Sequence, residues 1–327
     1  MIRLDFHTDF LKFRYPFRIA HGERLGTDVV FVKLHMNDTI GFGEATLPPY
    51  LGVRTTDVLA AFARPGIVEA MELLQPEDWF RSLLEVIPDN MPALAALDMA
   101  RWQVHLKQNP GTLIKEESGI PMVGKVPHTF TLGVSDEKEM SEKLDFARQQ
   151  GFELFKLKLN GKCDFEMLSA FRKLSKAPFA IDANQAWTKL EQALDVLDFM
   201  EAENCVLIEQ PFHKSDCVFS NELRKRTVIP VVADEACQQF DDLEDVLQAF
   251  DGVNVKLQKC GGITPALKQL RMLKERNKKA LIGCMSESSI GCNAAEQLTF
   301  LCDWADLDGP YLNENNSEMC QRLGYSL

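Results

Sequence analysis

No two of the nine cysteines are spaced as CxxC, their number is odd, and nowhere in the 327 residues is there an apolar run of about 18. The spacing does not suit a disulfide framework, so the thiols read as reduced and mostly buried small hydrophobes. The missing apolar run excludes a membrane-spanning helix of ordinary length. The first stretch, MIRLDFHTDFLKFRYPF, has charges every few residues and no apolar core of a signal peptide, so the cytoplasm is the expected compartment. Positive charge is also scarce: the net charge is −12 and the isoelectric point about 5.1. A nucleic-acid partner is therefore not expected, because binding phosphate needs a basic footprint. An anionic small molecule stays possible if cations or a metal are placed locally.

Hydrophobic residues make up 46% of the chain, ample for a sizeable core. Residues 1–50 read as strands. Val29 to Leu34 is a β-branched run, Asn37-Asp38 offers a turn, and Gly41 and Gly43 suit close backbone approach. Residues 56–118 read as helical, with Ala93–Lys107 rich in helix formers and Asn109-Pro110-Gly111 as its breaker. From about residue 128 short apolar runs alternate with amphipathic helices. The runs are Thr129–Val134, Leu154–Leu159, Phe179–Asp182, Val206–Glu209, Ile229–Ala233, Val253–Leu257, Ala280–Met285 and Trp304–Leu307. Helices are expected between them at Glu137–Gln150, Asp164–Ser175, Leu190–Glu201, Asp241–Phe250, Thr264–Arg276 and Ala294–Cys302. Strand starts recur about every 25 residues, the length of one βα unit. No GxGxxG follows the first run, so a dinucleotide-binding sheet has no support. The pattern predicts a (β/α) barrel, residues 121–309, behind an α+β unit, residues 1–120, to which 310–327 may contribute.

In such a barrel the chemistry lies at the C-terminal strand ends. The second run ends Lys156-Leu157-Lys158, and strand alternation puts both lysines on one face. The next three runs end in Asp182-Ala183-Asn184, Glu209-Gln210-Pro211 and Asp234-Glu235, and the sixth carries Lys256. Singly, an aspartate after a strand is commonly a helix cap and a strand lysine commonly reaches for solvent. Together, three acids on adjacent strands flanked by lysines make one constellation. Three hard oxygen donors suit Mg²⁺ and not zinc, which takes His or Cys. His128 and His213 join no cluster with ligand spacing, and Lys162 and Lys259 read as solvated loop charges. A metal on a substrate carboxylate stabilises the enediolate formed when the adjacent carbon loses its proton. Neighbouring cations are expected to hold lysine proton affinity down, and two lysines on opposite sides of the metal would serve opposite faces of that carbon.

These motifs resemble the enolase superfamily, muconate-lactonizing subgroup, across nearly the whole chain. The resemblance rests on Gly41-Phe42-Gly43-Glu44-Ala45, Ala96-Leu97-Asp98-Met99-Ala100, the strand-end motifs above and Lys256 followed by Gly261-Gly262-Ile263. It implies a (β/α)7β modified TIM barrel with an α+β capping domain, one Mg²⁺ per subunit on Asp182, Glu209 and Asp234, and Lys158 and Lys256 as acid/base pair. It also implies that Lys156 polarises the substrate carboxylate and that Asn184 orients the metal ligands. Asp306-Leu307-Asp308 resembles the ammonium-binding Asp-x-Asp of dipeptide epimerases, in particular L-Ala-D/L-Glu epimerases of cell-wall peptide turnover. Thr131, Cys284 and Ser286 would touch the dipeptide, and Arg24, in a loop with Arg18 and Glu23, would pair with a glutamate side chain. The implied partner is a dipeptide; homo-oligomers are compatible. The alternatives are a cycloisomerase, an o-succinylbenzoate synthase, an N-acylamino acid racemase, or a barrel that only binds. The chain stops at Leu327, soon after the eighth run, which predicts a cap closed by a shorter tail.

Overall fold

Residues 2–19, 22–110, 114 and 126–326 are described in a computed structural model of the protein. The expected boundary between residues 120 and 121 lies outside them. Three antiparallel strands open the chain: β1 (Ile2–Ile19), β2 (Gly22–Met36) and β3 (Thr39–Leu47). Asn37, at φ 54°, makes the β2–β3 turn. Helices α1 (Thr55–Phe62), α2 (Ile67–Glu72), α3 (Pro76–Val86) and α4 (Met91–Gln108) follow, and α4 ends where the Asn-Pro-Gly breaker begins. A Cβ on Gly41 would lie 2.0 Å from the Ala100 carbonyl oxygen, and one on Gly43 1.9 Å from that of Ala96. Glycine there lets α4 press directly on the backbone of β3.

The rest is a parallel barrel. Its strands are β4 (Thr129–Leu132), β5 (Leu154–Lys158), β6 (Phe179–Asp182), β7 (Cys205–Glu209), β8 (Val231–Ala233), β9 (Gly252–Lys256), β10 (Lys279–Gly283) and β11 (Trp304–Asp306), adjacent in that order. The Ala305 amide donates to the Pro127 carbonyl (3.0 Å), and a His128–Ala305 bridge brings the two ends together. All eight sequence runs are strands. Their near-continuous apolar character reflects burial on both faces. The outer helices are α5 (Glu137–Gln149), α6 (Asp164–Leu174), α7 (Leu190–Ala202), α8 (Cys217–Arg224), α9 (Leu243–Ala249), α10 (Leu257–Cys260), α11 (Ile263–Glu275) and α12 (Ser289–Glu296).

Two helical readings are corrected. The helix expected at Ala294–Cys302 is α12, Ser289–Glu296, followed by a 3₁₀ turn at Thr299–Leu301. Its start is set by Ser288, whose side chain accepts from the Ile290 amide, and by Glu44 on β3, whose carboxylate accepts from the Ser288 and Gly291 amides (3.0 Å each). Helix α8 was not expected at all. Asp98 on α4 bolts the two layers together: it accepts from the Trp79 indole and from the Thr264 amide and hydroxyl at the start of α11, each at 2.8 Å. After the barrel, α13 (Gly309–Leu312) and α14 (Asn316–Leu323) return to the first sheet. There Met319 and Cys320 pack on Leu11, Val29, Phe31 and Phe42, so this segment closes on the first sheet.

Candidate active site

Parallel register brings the strand ends to one level. Lys158 pairs with Asp182 across β5–β6, and Asp182 with Glu209 across β6–β7. Gly283 on β10 is level with both Lys256 and Asp306. Asp182 and Glu209 are fully buried, and so, very nearly, is Asp234. One carboxylate oxygen from each lies within 4.8 Å of the others.

The lysines surround these acids. Lys158 Nζ is 2.6 Å from Asp182 Oδ2, and Lys256 Nζ 2.6 Å from Asp234 Oδ2. Lys156 bonds Asp306 and reaches Glu209 Oε2 at 3.2 Å. Lys259 corrects its reading as a solvated charge: it is buried, and its Nζ donates to Asp234 Oδ1 (2.7 Å), Asp234 O (2.7 Å) and Asn254 O (2.8 Å). Helix α10 starts directly after Lys256 and swings Lys259 back under Asp234. Lys162 is exposed, as expected.

Electrostatics follows this placement. Burial and the neighbouring Asp182 push the Glu209 carboxyl up to about 7. Burial would raise Asp234 as well, but Lys256 and Lys259 overcome it and hold this acid far below the usual carboxylate range. At two lysines the protein's own acids act in the opposite sense to neighbouring cations and a metal. Burial disfavours charge on Lys156 and Lys256, yet Asp306, Glu209 and Asp182 around the first, and chiefly Asp234 beside the second, raise both well above 10.5.

Asn184 sits at φ 44° and its amide donates to Asp182 Oδ1 (2.8 Å). The Asp308 carboxylate accepts from the Thr131 amide (2.6 Å), and Thr129 Oγ1 donates to Asp306. Burial, then the nearby Asp306, pushes Asp308 up to about 7. Thr131, Cys284, Ser286, Asp306 and Asp308 all line one cavity of about 530 Å³ with the lysines. Its outer wall comes from the first sheet: Phe17, Arg24 and the Pro48–Tyr50 turn. The Arg24 guanidinium lies 5.5 and 5.6 Å from the rings of Phe13 and Phe17, and its Nη1 is buried with no hydrogen-bond partner among the described residues. A larger groove of about 770 Å³ between α3 and α11 has no strand-end acid or lysine, so chemistry and not volume marks the site.

Two further contributors are Asn254 and Gln210. Asn254 Nδ2 donates to Glu209 Oε1 (2.6 Å). It stands two before Lys256, on the same strand face, so alternation alone points to it. Gln210 is fully buried at φ 34°, and its Oε1 accepts from the Asp234 (2.9 Å) and Ala236 (3.0 Å) amides, which orders the turn carrying Asp234.

All nine cysteines are free and seven are buried. No helix among the described residues is long and apolar enough to cross a membrane. Residues 139–308 match the enolase C-terminal domain-like family. The chain is 31% identical to an L-Ala-D/L-amino acid epimerase of Maribacter sp., over 96% of this chain and 92% of that one. It is 27% identical to an N-succinyl-L-Arg/Lys racemase of Bacillus cereus, over 92% and 85%. A substrate-liganded L-Ala-D/L-Glu epimerase from Bacillus subtilis superposes with a TM-score of 0.85 at 25% identity, covering 97% of this chain and 92% of that one. Barrel, cap and relatives agree: the chain belongs to the enolase superfamily, stands with its dipeptide epimerases, and is an isomerase acting on amino-acid derivatives.

Proposed function

We propose that the chain is a Mg²⁺-dependent dipeptide epimerase, with L-Ala-D/L-Glu as its substrate, acting by a two-base transfer of the α-proton. The observation that carries this reading is the placement of Lys158 and Lys256 on opposite flanks of one acidic triad. Asp182, Glu209 and Asp234 would hold the ion, since they form a buried, hard, all-oxygen donor set whose mutual repulsion a divalent cation relieves. Magnesium would supply positive charge beside the substrate carboxylate, where negative charge grows as the α-proton leaves. Lys158 would take or return that proton on one face and Lys256 on the other. Lys156 adds a fixed cation beside Glu209, and Asn184 orients Asp182.

Asp306 and Asp308 would receive the dipeptide ammonium. Asp306 is already paired with Lys156, so Asp308, in no ion pair among the described residues, is the carboxyl left to meet the ammonium, whose positive charge would favour its ionised form. Thr131, Cys284 and Ser286 would contact the peptide. Arg24 would take the glutamate carboxylate, because it lines the same cavity and its buried Nη1 has no hydrogen-bond partner among the described residues. Residues 1–120 would form the capping unit, residues 121–309 the catalytic barrel, and the free thiols fit a cytoplasmic setting.

The second reading is racemisation of an N-acylamino acid, which has no ammonium to bind. A screen of dipeptides and N-acylamino acids in D₂O with Mg²⁺, read by mass gain at the α-carbon, decides between them. Labelling of L-Ala-L-Glu and its loss with EDTA are expected. Labelling confined to N-acylamino acids would transfer the assignment to the second reading.

A further inference from the structure

Beside the lysine–acid constellation lies a second cluster that the proton transfer does not use. Cys284 follows the end of β10, Glu287 sits in the next turn, and Cys292 lies on α12. Their Sγ atoms and one carboxylate oxygen all fall within 4.8 Å of one another. All three side chains are buried, Glu287 completely. Each becomes anionic on losing a proton, yet none is in an ion pair among the described residues. The Cys292 thiol donates to the Glu287 backbone carbonyl (3.8 Å), and Glu287 Oε1 accepts a 3.3 Å bond from the Met285 amide. Glu287 Oε2 is buried with no hydrogen-bond partner among the described residues. An orphaned carboxylate oxygen in a fully buried position is costly unless something positive or protic meets it.

We propose that Cys284, Glu287 and Cys292 form a second cation site, one for a thiophilic divalent metal such as Zn²⁺. Two sulfurs and one oxygen are a borderline-soft donor set, in contrast to the all-oxygen triad, so the two sites select different ions. Binding displaces the protons of the donor groups to solvent and sets the 2+ ion against two thiolates and one carboxylate, which leaves one negative charge uncompensated. The fourth tetrahedral position is left to water from the substrate cavity, which Cys284 lines and which provides the entry path.

The scaffold holds these donors in place before any ion arrives. Asn313 Nδ2 donates to the carbonyls of Ser286 (2.9 Å) and Glu287 (3.0 Å). Glu44 fixes the Ser288 and Gly291 amides from the first sheet. A Cβ on Gly291 would come within 3.0 Å of Glu44 Cδ and 3.1 Å of Glu287 Cβ, so glycine is what lets the two glutamates pack side by side.

The test uses the full chain, reduced and saturated with Mg²⁺ so that the triad is filled. Co²⁺ is added as a spectroscopic substitute for Zn²⁺. The expected result is one further equivalent taken up, with an intense near-ultraviolet sulfur-to-cobalt band that Zn²⁺ abolishes. Cys292→Ser, which touches no group proposed to move a proton, should lose at least half of that band while keeping epimerisation. X-ray absorption on the Zn²⁺-loaded wild type provides a reading that needs no variant, with sulfur expected at about 2.3 Å. A wild type that shows no sulfur band, or only oxygen and nitrogen around zinc, overturns the proposal. So does a band of equal strength in folded Cys292→Ser.

Discussion

Lys158 and Lys256 make the same contact with opposite ends of the acidic triad: each Nζ lies 2.6 Å from a carboxylate oxygen, of Asp182 in one case and Asp234 in the other. Two such lysines can serve the two faces of a carbon held between them. Replacing either with Ala should reduce epimerisation by about 10²–10⁴-fold or more, the range lost with a positioned acid or base. Each variant should still exchange the α-proton of one stereoisomer with D₂O, and the two variants should prefer opposite stereoisomers. Equal exchange of both stereoisomers by either variant would exclude one lysine per face.

The Asp-x-Asp pair divides its labour. Asp306 is consumed by Lys156 and Thr129, whereas Asp308 accepts from the Thr131 amide and is in no ion pair among the described residues. Asp308→Asn keeps an acceptor for that amide and removes the charge. It should raise KM for a free dipeptide about 10- to 100-fold, a loss of roughly 1.4–2.8 kcal/mol, and leave kcat much less affected. The decisive comparison is with the N-acetylated dipeptide, against which the variant should no longer discriminate. Unchanged discrimination would remove Asp308 from ammonium binding.

Much of this site is legible in the chain because a parallel barrel writes itself plainly. Strands buried on both faces give unbroken β-branched runs, and alternation assigns Lys156 and Lys158 to one face without any coordinates. Contacts that depend on how the backbone turns after a strand are not written in that way. Lys259 looks like a loop charge until α10 is seen to begin at Leu257 and fold it beneath Asp234. The start of α12 is equally hidden, because half of its cap is Glu44, from a different layer of the fold. Helix α8 is only eight residues long, too short for its apolar spacing to stand out.

Lys259 can be tested as a positioning residue. Its three donors hold the Asp234 carboxylate, the Asp234 carbonyl and the Asn254 carbonyl. Lys259→Met keeps the stem and deletes all three bonds in a buried place, which should destabilise the fold by about 3–5 kcal/mol. Lys259→Arg should recover part of that loss. Mg²⁺ affinity, read by calorimetry, should fall in the Met variant because one ligand is no longer oriented. A Met variant with wild-type melting temperature and Mg²⁺ affinity would show that Lys259 positions nothing.

Asp98 makes stability depend on pH in a direction opposite to that of most carboxylates. Burial pushes its carboxyl from 3.8 up to about 6, even though Thr264 and Trp79 donate to it. Between these values the folded chain binds a proton that the unfolded chain has already released. Its stabilising effect is therefore complete below about pH 4, declines as pH rises, and is gone above about pH 6. At ~1.36 kcal/mol per unit the full swing is about 3 kcal/mol. Asp98→Asn cannot titrate, and every other group titrates alike in both proteins, so the difference between them isolates this carboxyl. Urea midpoints of wild type and Asp98→Asn at pH 4, 5, 6 and 7 should show the wild type losing ground to the variant up to about pH 6 and holding a constant difference beyond it. Parallel profiles would mean that Asp98 has an ordinary pKa, and with it that the joint between α4 and α11 is far wetter than its burial implies.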